Sequence, residues 1–321
     1  MVMNFWESQA KRRSLTAFYL VIFITLTLAT AAGAEIALRY FTPEDYHPGL
    51  PILGLGFLAV TFAVAAFNYL QYKLTGGAYV AESLGGYRVD PETRDPDEKR
   101  LLNIVEEMSV AAGLPMPQVY ILPANEINAF AAGLKKDNAT MAITEGALTK
   151  LSRDEIQGVI AHELGHVYNG DMVISLRLAA MVMGFFFVLY LGLRILQGTG
   201  FSRRREEGEG KGGNPILLAA IILMIAGALT WFLGSILKAM VSRQREYLAD
   251  ASAVQFTRNP SGIANALRKI ANDDKHDMPK TGGGYAHMYL DDRVSLFATH
   301  PPLWKRIAIL EGRENIPEEE R

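Results

Sequence analysis

The chain has 321 residues, with 32 Lys and Arg against 34 Asp and Glu, so its formal net charge is −2. That balance excludes a basic nucleic-acid footprint and an acidic disordered tail. The absence of cysteine excludes a disulfide framework, thiol catalysis and a Cys-ligated zinc or iron–sulfur site. Any metal must be held by His, Asp or Glu, which directs attention to six histidines: His47, His162, His166, His276, His287 and His300.

Half the residues are apolar, and they are concentrated in four runs. Leu15–Ala34 holds twenty residues without a charge, and Leu50–Tyr72 holds twenty-three. Met172–Leu193 is apolar except for Arg177, and the stretch from Gly212 to Leu237 has twenty-six uncharged residues. At about 1.5 Å per residue, roughly 20 residues cross a bilayer's hydrocarbon layer. The first, second and fourth runs meet that length. The third has sixteen uncharged residues between Arg177 and Arg194 and spans only if an arginine snorkels or faces protein. A signal peptide would also fit the first run, with Lys11, Arg12 and Arg13 ahead of it and Ala31-Ala32-Gly33-Ala34 at its end. Its length and the second run close behind favour a retained span.

Residues 73–171 read as soluble. Asp97 is placed to cap a helix over Glu98–Ala112, with Leu101, Leu102, Ile104, Val105 and Met108 as its buried stripe and Gly113 as its end. Residues 119–122, 127–134 and 139–144 read as short strands, with Lys135–Asn138 as the turn between the last two. Ser152 and Glu155 form a capping box that starts a helix running to about Gly170. After the fourth run, Glu246–Phe256 and Ser261–Asn272 read as helices, residues 273–299 as a mobile loop, and Pro301-Pro302 as the opening of a last helix.

Inside the capped helix stands His162-Glu163-Leu164-Gly165-His166. Histidines at i and i+4 share one face a turn apart, which suits two nitrogens on one zinc, and Glu163 beside them can take a proton from an attacking water. The flanking Ile156, Val159, Ile160, Leu164 and Val167 suggest an amphipathic helix of a soluble domain. A hydrolytic zinc needs a third protein ligand, here a His, Asp or Glu. Glu246 is the best candidate, with Asp250 one turn on to accept the second ring N–H of a ligand histidine. An exposed helix bearing two acids is the plainer reading of that segment.

Three separated segments, HELGHVYNGDM, REYLADASAV and THPPLWKRIAIL, resemble in their order the motif set of the HtpX family of bacterial membrane zinc proteases, related to the CaaX-processing membrane metalloproteases. The resemblance covers nearly the whole chain. It implies one zinc ion on His162, His166 and Glu246, Glu163 as general base, and Asp250 behind His162. It also implies Asn169 as support for the end of the active-site helix. His300 and Arg306 match the family's HPPLxxR pattern, where a donor aimed at the tetrahedral oxyanion is implied; His300 alone would read as a capping or surface histidine. Asn128-Ala129-Phe130-Ala131 resembles the edge strand that pairs with substrate backbone. An ordinary buried strand with Phe130 in the core competes equally with that view.

The expected fold is therefore a membrane-anchored α+β protein: a mostly helical zincin-like catalytic domain with a small β-sheet and about four transmembrane helices. The expected parts are residues 1–72 as two N-terminal spans, 73–171 and 238–321 as the two pieces of the catalytic domain, and 172–237 as a hydrophobic hairpin. If Glu246 meets His162 and His166, the chain between 171 and 238 must return to the side it left, so it crosses twice or not at all. Lys11, Arg12 and Arg13 argue for a cytoplasmic N-terminus and hence a cytoplasmic catalytic domain in a bacterial inner membrane. Arg203, Arg204, Arg205 and Lys211 in the 198–213 loop oppose a spanning hairpin by the same rule, so the hairpin either spans against it or dips and packs. The expected partners are the bilayer and protein substrates, misfolded or damaged membrane proteins by the resemblance, with no nucleic acid. Rival readings are a membrane adaptor or chaperone with an inactive metal site, an intramembrane protease and a transporter. The polar start of the His162 helix and the absence of acidic pairs in the spans weigh against the last two.

Overall fold

In a computed structural model the described residues are 5–43, 49–133, 135–198, 215–273 and 300–313. Apart from Gly198 and Asp273, the loops read at 198–213 and 273–299 lie outside them. Among the described residues the order is α1 (Phe5–Phe41), α2 (Ile52–Ser83), β1 (Tyr87–Arg88), α3 (Pro96–Ala112), β2 (Gln118–Leu122), β3 (Ala129–Ala132), β4 (Thr140–Thr144) and α4 (Glu145–Lys150). There follow α5 (Arg153–Asn169), α6 (Asp171–Gly198), α7 (Pro215–Thr257), α8 (Pro260–Ala271) and α9 (Leu303–Leu310). They form two compact units: residues 17–71 with 176–238, and the described parts of 1–16, 72–175 and 239–321.

The first unit is helical. Four helices, α1, α2, α6 and α7, are long and apolar enough to cross a membrane. Their close approaches use small residues, as helix contacts in lipid do. A Cβ on Gly184 would lie 2.5 Å from the Thr61 carbonyl oxygen, and one on Gly227 would lie 2.4 Å from the Leu189 nitrogen. Phe185 stacks on Phe23 and Phe57 in the interior, while Phe18, Ile24, Phe62, Ile225 and Leu229 face outward. The arginines bounding the short third run stand beside aromatic rings: Arg177 over Tyr69 at 5.8 Å, and Arg194 donating to the Tyr190 hydroxyl at 2.7 Å.

The second unit holds a four-stranded mixed sheet in the order β1-β2-β4-β3, in which β2 and β4 run parallel and both outer pairings are antiparallel. Side chains alternate as the pleat requires. Val119, Ile121, Met141, Ile143, Ala129 and Ala131 join the core built by α3, α5 and α8, whereas Tyr120, Leu122, Phe130 and Ala132 pack with Val80, Ala81 and Leu84 at the end of α2.

Several boundaries differ from the sequence reading. The α3 cap is Asp95, which accepts the N–H groups of Asp97 and Glu98, and Pro96 occupies the first turn. Asp97 lies inside the helix because the proline's fixed φ starts the turn two residues earlier. The fourth apolar run and the helix carrying Glu246 are one 43-residue helix, since no glycine or proline stands between Leu237 and Glu246 to interrupt it. The Lys136–Asn138 turn is a short 3-10 helix, and β1 and α4 are too short for a periodicity to register. Ser152 and Glu155 form the expected capping box, but α5 is buried around most of its circumference. It is the central helix of the unit rather than an amphipathic one, because α3, α8 and β3 all pack on it.

Candidate active site

The site is built where α5, α7 and α9 meet the edge of the sheet. His162 and His166 stand one turn apart on α5 with ring centroids 4.9 Å apart. Gly165 between them lets α7 come close: a Cβ there would lie 3.0 Å from Ser252 Cβ and 3.1 Å from the Ala249 carbonyl oxygen. That approach brings Glu246, 80 residues further along the chain, to both rings. His162 Nε2 is 3.5 Å from Glu246 Oε2, and His166 Nε2 is 3.4 Å from Glu246 Oε1. One ligand atom from each of the three residues falls within 4.8 Å of the others. Ligands about 2.1 Å from a tetrahedral zinc stand roughly 3.4 Å apart, so these spacings fit such an ion.

Each histidine turns its Nδ1 away from Glu246. His162 Nδ1 lies 2.9 Å from Asp250 Oδ1, the pairing expected from the resemblance. His166 Nδ1 lies 3.0 Å from Asp171 Oδ2, a partner absent from the sequence reading. Asp171 follows the helix-ending Gly170, and Arg245, which donates to its Oδ1 at 2.6 Å, immediately precedes Glu246. Both residues lie within the quoted motifs; an acid just past the glycine stop and a base beside the ligand were the available signals.

Arg306 is fully buried and braces the other side. Its Nε and Nη2 make a fork on Asp250 at 2.9 and 2.7 Å, and its Nη1 lies 3.0 Å from Glu246 Oε2. His300 Nδ1 lies 3.1 Å from the same oxygen. These last two approaches are close but not aligned as hydrogen bonds. Glu246 Oε2, both His300 ring nitrogens and Arg306 Nη1 are buried without a hydrogen-bond partner among the described residues. Buried polar groups are rarely left so, and four that converge beside two imidazoles fit a metal and a reacting group.

Glu163 is buried, and its Oε2 accepts the Ala131 N–H of β3 at 3.0 Å. Burial pushes its carboxyl above the ordinary value, outweighing the lowering by both histidines and the Ala131 N–H. Burial disfavours the His166 imidazolium, but the Asp171 and Glu246 carboxylates outweigh that and hold its pKa well above normal.

Ala129, Phe130 and Ala131 lie in the edge strand β3 beside α5, and Asn128 immediately precedes it. Phe130 is nevertheless buried on the far face with Val80 and Leu84, so the strand is both an edge and part of a core. The Ala129 N–H is taken by the Asn128 side chain at 2.9 Å. Asn169 bonds the Gly165 carbonyl at 2.8 Å and the Ser252 hydroxyl at 3.0 Å, joining the end of α5 to α7.

The sequence pattern of peptidase family M48 matches residues 95–314. A "Protease HtpX homolog" of Caldanaerobacter subterraneus subsp. tengcongensis is 34% identical over 313 residues, covering 96% of this chain and 97% of that protein. A "Protease HtpX homolog" of Bacteroides fragilis is 31% identical over 92% of this chain and 90% of its own length. Among solved structures, the crystal structure of S. mikatae Ste24p aligns with 96% of this chain and 66% of its own, at 16% identity and a TM-score of 0.48.

Proposed function

The chain belongs to peptidase family M48, a family of metalloproteases, and from that premise we propose that it is a zinc-dependent endopeptidase of a bacterial inner membrane. In this reading it cuts misfolded or damaged membrane proteins at the cytoplasmic face. The observation that carries the peptidase reading is the convergence of His162 Nε2, His166 Nε2 and a Glu246 oxygen beside the carboxylate of Glu163.

His162, His166 and Glu246 would hold one zinc ion per chain. Bound there, zinc supplies Lewis acidity, which polarises a peptide carbonyl and makes a water molecule acidic enough to lose a proton near neutral pH. Glu163 receives that proton on its carboxylate and passes it to the leaving amide nitrogen. The Ala131 N–H holds Oε2, which fixes the plane of the carboxylate and leaves Oε1 for the transfer. Arg306 neutralises the charge that Asp250 and Glu246 bring into a buried place. His300 donates to the oxygen that becomes negative as the carbonyl is attacked. The Asn128–Ala131 edge aligns an extended substrate through its backbone carbonyls, the N–H groups of Asn128, Ala129 and Ala131 being held by Thr144, Asn128 and Glu163; backbone pairing is tolerant of sequence and so suited to varied damaged proteins. Membrane substrates and the quality-control role rest on the likeness to the HtpX relatives.

The test is metal content and proteolysis measured together on detergent-purified protein. Wild type should hold one zinc and cut casein or a membrane-protein substrate. Glu163→Gln should keep the zinc and lose about 10²–10⁴-fold in rate, and retained proteolysis would remove Glu163 from its role. Glu246→Ala should lower zinc occupancy; unchanged zinc would point to a different third ligand. A wild type that takes up no zinc even when it is added back would favour an adaptor with an inactive site.

A further inference from the structure

The two metal-facing histidines are supported in the same manner, each by a buried carboxylate that a buried arginine backs. Behind His162 stands Asp250, and behind Asp250 stands Arg306. Behind His166 stands Asp171, and behind Asp171 stands Arg245. We propose that Asp171, anchored by Arg245, is the positioning residue for His166, turning its Nε2 to the metal. The inference rests on the metal-site reading above and deepens it.

Local geometry makes the contact specific. On an uninterrupted helix, a residue five places after His166 would lie about 140° around the axis from it. Gly170 breaks that continuity with a left-handed conformation at φ 70°, its N–H closing on the His166 and Val167 carbonyls. The next residue, Asp171, opens α6, and its carboxylate returns to Nδ1. Asp171 and Arg245 are both buried. Arg245 occupies Oδ1, so Oδ2 is the oxygen presented to the ring and the carboxylate cannot rotate freely. A carboxylate accepting at Nδ1 places the imidazole proton there and leaves the Nε2 lone pair for a cation, the arrangement by which outer partners tune metal ligands. Because Arg245 precedes Glu246 on α7, the same pair also sets the height of α7 against α5. One contact thus orients one ligand and places its neighbour.

The experiment is a Zn²⁺ titration of the metal-free, full-length protein in detergent against a competing chromogenic chelator, with visible spectra of the Co²⁺-loaded forms. Wild type is compared with Asp171→Asn/Arg245→Gln, which removes both charges together and leaves neither buried alone, and with Arg245→Lys. The double variant should bind Zn²⁺ about 10–100-fold more weakly and show an altered Co²⁺ spectrum. Arg245→Lys should stay close to wild type. A double variant with a cooperative thermal transition, Zn²⁺ affinity within twofold of wild type and an unchanged Co²⁺ spectrum would overturn the proposal and reduce the pair to a brace between α6 and α7. Should the double variant not fold, Asp171→Glu decides. It retains the charge but displaces the oxygens by a methylene, and unchanged affinity there overturns the proposal equally. A wild type that binds no Zn²⁺ would remove the metal-site reading, and this inference with it.

Discussion

Arg306 shows what a single side chain contributes at the candidate site. Its guanidinium has no exposed surface and serves two buried carboxylates, Asp250 through a two-bond fork and Glu246 through Nη1. Removing one partner of a buried ion pair leaves an uncompensated charge, which costs about 3–5 kcal/mol. Arg306→Ala should therefore lower the thermal transition of even the metal-free protein, and a variant melting like wild type would oppose this account. Arg306→Lys should restore only part of the loss, because an ammonium cannot form the fork. Glu155 makes a pH-dependent counterpart at the start of α5. Burial disfavours its charge, but Lys269 and the Ser152 backbone outweigh that and hold its pKa below normal. A carboxylate with a lowered folded pKa stabilises above its unfolded value and loses that contribution as pH falls through the folded one. Stability of wild type should thus decline on acidification, with a shallower acid slope in Glu155→Gln. Equal slopes would remove Glu155 as a cause.

Among the elements, α5 depends on two glycines that admit its neighbours. A Cβ on Gly158 would lie 2.5 Å from the Ile263 nitrogen in α8, a backbone contact with no side chain to yield. Gly158→Ala should destabilise by roughly 1–3 kcal/mol or more, as forced overpacking does. Gly165 faces α7, where the nearest atoms would stand at 3.0–3.2 Å and must give by a few tenths of an ångström. Gly165→Ala should lower the thermal transition less than Gly158→Ala but weaken Zn²⁺ binding more, because it displaces the helix bearing Glu246. The opposite ranking in the two measurements would contradict the division. Neither close approach is readable from the sequence, where a glycine inside a helical pattern indicates only a local weakness.

For the molecule as a whole, the decisive quantity is the side of the membrane reached by the chain between α6 and α7. The absence of cysteine allows single cysteines to be introduced and probed with a membrane-impermeant thiol reagent. Cysteines at Glu92 and Glu311, both exposed, should label from the same side, and one at Glu207 from the opposite side if α6 and α7 cross. Labelling of all three from one side would mean that the hairpin dips and returns.

Legible in the sequence were the periodic features: four long apolar runs, the capping box at Ser152, a helix ending at about Gly170 and the i, i+4 histidines on that helix. These follow from spacing along the chain and need no distant contact. Other features came from packing. It joined the fourth run and the Glu246 segment into one rod, set Arg306 on Asp250 and beside Glu246, and put the Ala131 N–H on Glu163. It also turned α5 from an expected amphipathic helix into a buried one and assigned Asp171 to His166. Such contacts depend on which helix faces are covered and on where small residues permit close approach, and both are properties of packing that no local pattern encodes.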